Sequence, residues 1–282
     1  MKKIILLTLL LLFGLTSYGC DIQCPENKDL TSSTSRFFSK ITGQRVLSEA
    51  IGEKIIKKSI KQNITSGKIK TDIKSFSTRD LKAGKFKSIE LKVEDLSVQD
   101  IYISYIHLKT LCDYNYIGQD KNGDAVILDD IPFAIDVVMT ADNLNKTMES
   151  ENYKRIISDI NKLSGKFGVF QIESTKVKIK NNQIYYIAEY TLPFVRQPKY
   201  AVIVSDLCVK NGKIGFENSK ILGNSLSFDI NKISALINYV NPLDFSLKMQ
   251  ENRDTQINIQ NIRIEDDKII ADGILTVLKD KE

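Results

Sequence analysis

Residues 32–64 read SSTSRFFSKITGQRVLSEAIGEKIIKKSIKQNI, and the way this run folds decides the architecture of the chain. At about 100° per residue, Phe37, Ile41, Leu47, Ile51 and Ile55 fall on one stripe, which Phe38 and Ile56 widen. Glu53, Lys57 and Lys61 fall on the other side. Thr31 to Thr34 supply N-cap residues, and Asn63 with Gly67 supplies a stop. The spacing therefore predicts one long amphipathic helix. Gly43 and Gly52 each cost about 1 kcal/mol against Ala in a helix interior, which leaves room for a kink. Two roles fit the stripe: a core helix lying on a sheet, or a helix around which strands curl to leave an apolar groove.

Outward from this helix the chain turns to strand patterns. Ile69, Thr71, Ile73 and Ser75 alternate with Lys70, Asp72 and Lys74. Ile89, Leu91 and Val93 alternate with Glu90, Lys92 and Glu94. Ile101 to Ile117 carries apolar residues on both faces, which predicts one long strand covered on both sides. Asp120 to Asp124 spaces oxygens like a calcium loop, but Ala125 and Ile131 stand where the sharp-turn Gly and the bidentate Glu belong, so a hairpin through Asn122-Gly123 is expected. Thr140 is placed to cap a helix from Ala141, broken near Ser150 to Asn152. Three further hairpins are expected at Asn181-Asn182, Asn211-Gly212 and Asp266-Asp267, with a short helix over Asp229 to Tyr239 before the last. The sum is an antiparallel α+β protein with one long N-terminal helix and two shorter ones.

The front end bears on compartment. Lys2 and Lys3 precede an apolar run from Ile4 to Leu15, followed by small or polar residues and Gly19. This is the pattern of a signal peptide over residues 1–19. Ser17-Tyr18-Gly19-Cys20 resembles a bacterial lipobox, with Ser and Tyr where Leu and a small residue are usual. Acylation of Cys20 and ordinary secretion both fit. Residues 20–34 read as a polar tether, and residues 35–282 as one α+β domain. Four cysteines in an exported chain allow two disulfides. Cys112 and Cys208, both late in strand-like runs, are the expected pair.

The chemistry of catalysis is thin. The only histidine, His107, sits inside an alternating strand, and a nucleophile-His arrangement would rest on it alone. No nucleophile elbow, Gly-rich phosphate loop or zinc-ligand spacing occurs. No catalytic residue, metal site or cofactor is therefore expected. A formal charge of +5 that includes Lys2 and Lys3 is mild for 282 residues, which argues against nucleic acid while allowing weak attraction to anionic headgroups.

Several motifs together carry a resemblance. They are Asp80-Leu81-Lys82-Ala83-Gly84-Lys85-Phe86 followed by Ile89 to Val93, Met139 to Asn145, Leu243 to Leu247, and Ile262 to Asp267. In their order they resemble the LmeA-like family of bacterial envelope phospholipid-binding proteins, related by fold to tubular lipid-binding modules. Asn143 and the hairpin near Asn122 depart from the family pattern. The resemblance implies a curved antiparallel sheet of hairpins wrapped around the long helix, and a non-enzymatic role in the cell envelope, binding or shuttling phospholipid. On that reading the acyl chains are expected against Phe37, Phe38, Ile41, Leu47, Ile51, Ile55 and Ile56 of the helix and Ile101, Ile103 and Tyr105 of a strand. A membrane surface would be met through an acylated Cys20. The alternative is a tethered envelope scaffold with a filled core, which binds a protein partner at a sheet edge.

Overall fold

The computed structural model describes residues 22, 24–26, 29–42, 44–119, 125–166, 170–193, 195, 197–222, 241–243 and 254–280. The leader, Cys20, the turn at Asn122-Gly123 and the helix expected over Asp229 to Tyr239 lie outside the described residues.

The described chain is mostly antiparallel strand with few helices. Helix α1 (Ser33–Ile41) and helix α2 (Gln44–Asn63) replace the single long helix, the division falling between Ile41 and Gln44. Strand β1 (Ser66–Ser75) follows, then a short helix α3 (Thr78–Lys82) and strands β2 (Lys85–Val98) and β3 (Ile101–Thr110). The run expected as one strand to Ile117 stops at Thr110. It resumes as β4 (Asn115–Gln119), which pairs antiparallel with β5 (Ala125–Ile127). Strand β6 (Ile131–Thr140), helices α4 (Ala141–Met148) and α5 (Glu151–Lys166), and strands β7 (Gln171–Lys180), β8 (Gln183–Thr191), β9 (Lys199–Lys210), β10 (Lys213–Leu222), β11 (Thr255–Glu265) and β12 (Lys268–Val277) complete the order.

Two sheets result. The first runs β11-β12-β6-β3-β2-β4-β5, with β1 also on β2; the second is the meander β10-β9-β8-β7. The three hairpins expected from two-residue polar turns are present as β7–β8, β9–β10 and β11–β12. Both turn residues have positive φ in each: Asn181 and Asn182, Asn211 and Gly212, Asp266 and Asp267. That is the backbone that matches the twist of paired strands. A fourth such turn, Gln99-Asp100, joins β2 to β3.

Helix α4 locks the sheets together. Thr140 caps it as expected, and Asn143 completes a capping box by accepting the Thr140 backbone N–H. Asn143 also accepts the Ser104 hydroxyl, and Thr147 accepts the Tyr102 backbone N–H, so the helix is pinned to β3. On its other side Asn145 exchanges two hydrogen bonds with the Val177 backbone of β7. A single hydrophobic core runs through both sheets, with Ile101, Leu144, Tyr153 and Val177 fully enclosed.

The disulfide differs from the expected pair. Cys24 bonds Cys112, and Cys208 is free. Two contacts reinforce that bond: Lys85 Nζ donates to the Asp29 carbonyl, and the backbone N–H and hydroxyl of Thr31 both donate to the Asp80 carboxylate. The polar segment expected as a tether is thus fastened to the body from Cys24 onward. The missed pair has a topological reason. β3 and β9 belong to different sheets, and sequence spacing does not report that separation.

Candidate functional site

The first sheet carries one face of aligned apolar rows. Leu91 of β2 pairs with Leu108 of β3, which pairs with Ile135 of β6. One step along, Val93 pairs with Ile106, Ile106 with Val137, and Val137 with Ala271 of β12. A further row brings Leu96 against Ile103. The step from Val93 to Leu96 is three residues rather than two, and the step from Ile103 to Ile106 opposite matches it. A register shift against β1 at this level, with Asp95 at φ 52°, marks the irregularity that re-phases the two strands together.

These rows wall a cavity of about 360 Å³. Side chains of β11 and β12 extend the wall, and Ile60 of α2, Ile64 just past its end, Ile214 of β10 and Leu243 add to it from outside the sheet. Among the described residues, all nineteen lining side chains are aliphatic or Met. Such a site offers burial without hydrogen-bond direction, so it selects for apolar shape rather than for a polar group. Its volume lies at the small end of ligand cavities, which run from about 300 to 1,000 Å³.

Of the residues expected to line a groove, Ile103 is on this wall. Ile101 is fully buried in the core instead. Tyr105 lies on the opposite face beside His107, their rings 6.5 Å apart. The error came from carrying strict alternation past Ser104. Once the strand is re-phased, the wall residues after Ile103 are Ile106 and Leu108. The helix stripe points away: Phe37, Ile41, Leu47, Ile51 and Ile55 are each more than half exposed. Ile56 is half-buried off the wall, and the side chain of Phe38 lies outside the described residues.

The reason α2 turns its polar side inward is local. β1 is an edge strand, and its outward N–H groups need acceptors. Glu49, 9% exposed, accepts both the backbone N–H and the hydroxyl of Ser75, at 2.7 and 2.9 Å, while holding Arg45 at 3.2 Å. Glu53 accepts the Ile73 N–H at 3.3 Å. Two carboxylates spaced i,i+4 thus choose the inward face, and the apolar stripe is left outside.

His107 and Cys208 do not line the cavity. His107 Nε2 lies 2.9 Å from Glu90 and its Nδ1 lies 3.0 Å from Asp136, on the sheet face away from the cavity. Lys92 and, after the opposing effect of burial, His107 hold the Glu90 carboxyl below its ordinary range. Burial pushes the Cys208 thiol up, which reduces its thiolate. Among the described residues no cluster of three His, Cys, Asp or Glu side chains is placed to hold a metal ion. No known protein family, curated protein or solved structure matches this chain.

Proposed function

We propose that this chain is a non-enzymatic carrier of an acyl lipid, exported to the cell envelope, with the lipid tail in the aliphatic cavity of the first sheet. The observation that carries the reading is the cavity wall, whose nineteen lining side chains among the described residues include no polar group. A wall of this kind favours an apolar occupant, whose surface leaves water on entering. At about 30 Å³ per water-sized group, the space holds on the order of a dozen such groups, which suits one acyl chain better than the two of a diacyl lipid. The sheltered methylenes gain about 0.8 kcal/mol each against water but little against a bilayer, so exchange with a membrane is nearly balanced.

The Cys24–Cys112 disulfide supports an oxidising, exported compartment. The resemblance to the LmeA-like envelope proteins supports the same reading, including a cleaved leader and an acylated Cys20. In place of strands wrapped around the long helix, the proposed container is the apolar face of the sheet, with α2 contributing only its last turn.

The test replaces Ala271, which faces the cavity opposite Val137, by Phe. The ring enters the existing space, so the fold is retained. Native mass spectrometry of the parent protein is expected to show co-purified lipid, and Ala271→Phe to take up a fluorescent fatty-acid probe at least about tenfold more weakly. Lipid-free parent protein that also ignores the probe overturns the proposal.

A further inference from the structure

We propose that the outer face of α1 and α2 docks on the surface of an anionic lipid bilayer. Phe37, Ile41, Val46, Leu47, Ile51 and Ile55 are 54–67% exposed. Leu47, Ile51 and Ile55 follow one another at four-residue steps and form a single line along α2. Exposed large apolar side chains grouped on one helix face mark an interaction surface rather than ordinary scatter.

Charge decides which partner the face fits. Lys40, Lys54, Lys57, Lys58 and Lys61 are exposed on the same two helices. The only acidic residues of either helix, Glu49 and Glu53, face the body and are bound to β1. The outer face therefore combines aliphatic side chains with lysines and carries no carboxylate. Lysine stems lie along apolar surface while their ammonium groups reach for headgroup phosphates. A helix lying in the interface, about 5–10 Å deep, uses this combination. A second copy of the same face would bring lysine against lysine, so self-association is disfavoured. Among the described residues no helix is long and apolar enough to cross a membrane, which leaves surface docking as the way these helices meet a bilayer.

The inference stands apart from the proposed cargo, since it uses side chains that do not line the cavity. It adds a geometric link: α2 carries the docking line over its first turns and the cavity residue Ile60 in its last, with Ile64 just past its end. A docked helix holds the cavity beside the membrane.

The experiment is flotation of the full-length chain with vesicles of phosphatidylcholine alone and of phosphatidylcholine mixed with phosphatidylglycerol, at low and high salt. Binding is expected to favour the anionic vesicles and to weaken as salt rises. The combined change Leu47→Ser, Ile51→Ser and Ile55→Ser is expected to lower binding at least about tenfold. Independently, Lys54→Gln, Lys57→Gln and Lys58→Gln are expected to lower anionic-vesicle binding about fivefold per lysine removed. Circular dichroism and thermal unfolding of both variants are expected to match the parent, because the altered side chains are exposed. Parent and variants floating equally would overturn the proposal, as would a solution dimer that Ile51→Ser dissociates. Fatty-acid uptake unchanged in the helix variants keeps this outcome distinct from any failure of the cavity reading.

Discussion

Asp80 shows how one buried carboxylate secures the start of the fold. It is 1% exposed and accepts the Ser77 hydroxyl at 2.6 Å and the two Thr31 donors at 2.7 and 2.8 Å. Burial pushes its carboxyl up, but the Ser77 and Thr31 donors and the Arg36 guanidinium outweigh this and leave it below the ordinary value. A depressed native value stabilises the fold above the unfolded value of about 4, and that stabilisation is lost as pH falls through the native value. Asp80→Asn is expected to lower stability at neutral pH by about 1–3 kcal/mol and to flatten the acid side of the stability profile. Denaturant titration between neutral and acid pH checks both. Nothing in the sequence around Asp80 signals its contact with Thr31, because the partners are 49 residues apart.

At the scale of elements, the N-terminal segment and the β9–β10 turn carry the most exposed predictions. The Cys24–Cys112 bond closes a loop of 88 residues. Closing a loop of that size restricts the unfolded chain strongly, so Cys24→Ser is expected to cost about 2–5 kcal/mol, whereas Cys208→Ser is expected to leave stability close to that of the parent. Peptide mapping without reductant identifies the bonded pair, and thermal unfolding reads the difference. The β9–β10 turn reaches across to β11, where the Ile259 N–H donates to the Gly212 carbonyl at 2.9 Å. Gly212 has φ +73°, and an added Cβ would lie 2.2 Å from the Asn258 side-chain oxygen. Gly212→Ala is expected to cost about 1–3 kcal/mol through the positive φ and the shift forced on Asn258, measured as a lower midpoint of chemical denaturation.

For the whole molecule, two apolar surfaces separated by α2 and β1 define the functional reading. One is the aliphatic cavity against the first sheet; the other is the open face of α1 and α2, framed by lysines. If both readings hold, the Ala271→Phe change lowers probe uptake without altering vesicle binding, and the helix variants do the reverse. The two assays on the two variants therefore separate the roles. A shared loss in all variants would instead point to damage of the common core.

The sequence by itself determined what short-range chemistry fixes. Paired Asn, Asp and Gly residues at three turns set the hairpins, since positive φ is a local property. Thr140 set the start of α4. Strand alternation placed Ile103 but lost Ile106 and Leu108, because the re-phasing at Asp95 depends on how β1 meets β2. Only the tertiary structure decided which face of α2 turns inward. Periodicity identifies an apolar stripe and a polar stripe, but the unpaired N–H groups of Ser75 and Ile73 gave the inward position to Glu49 and Glu53. The same holds for the disulfide: bonding requires proximity, and the path that carries Cys24 to the end of β3 is set by contacts distant in sequence.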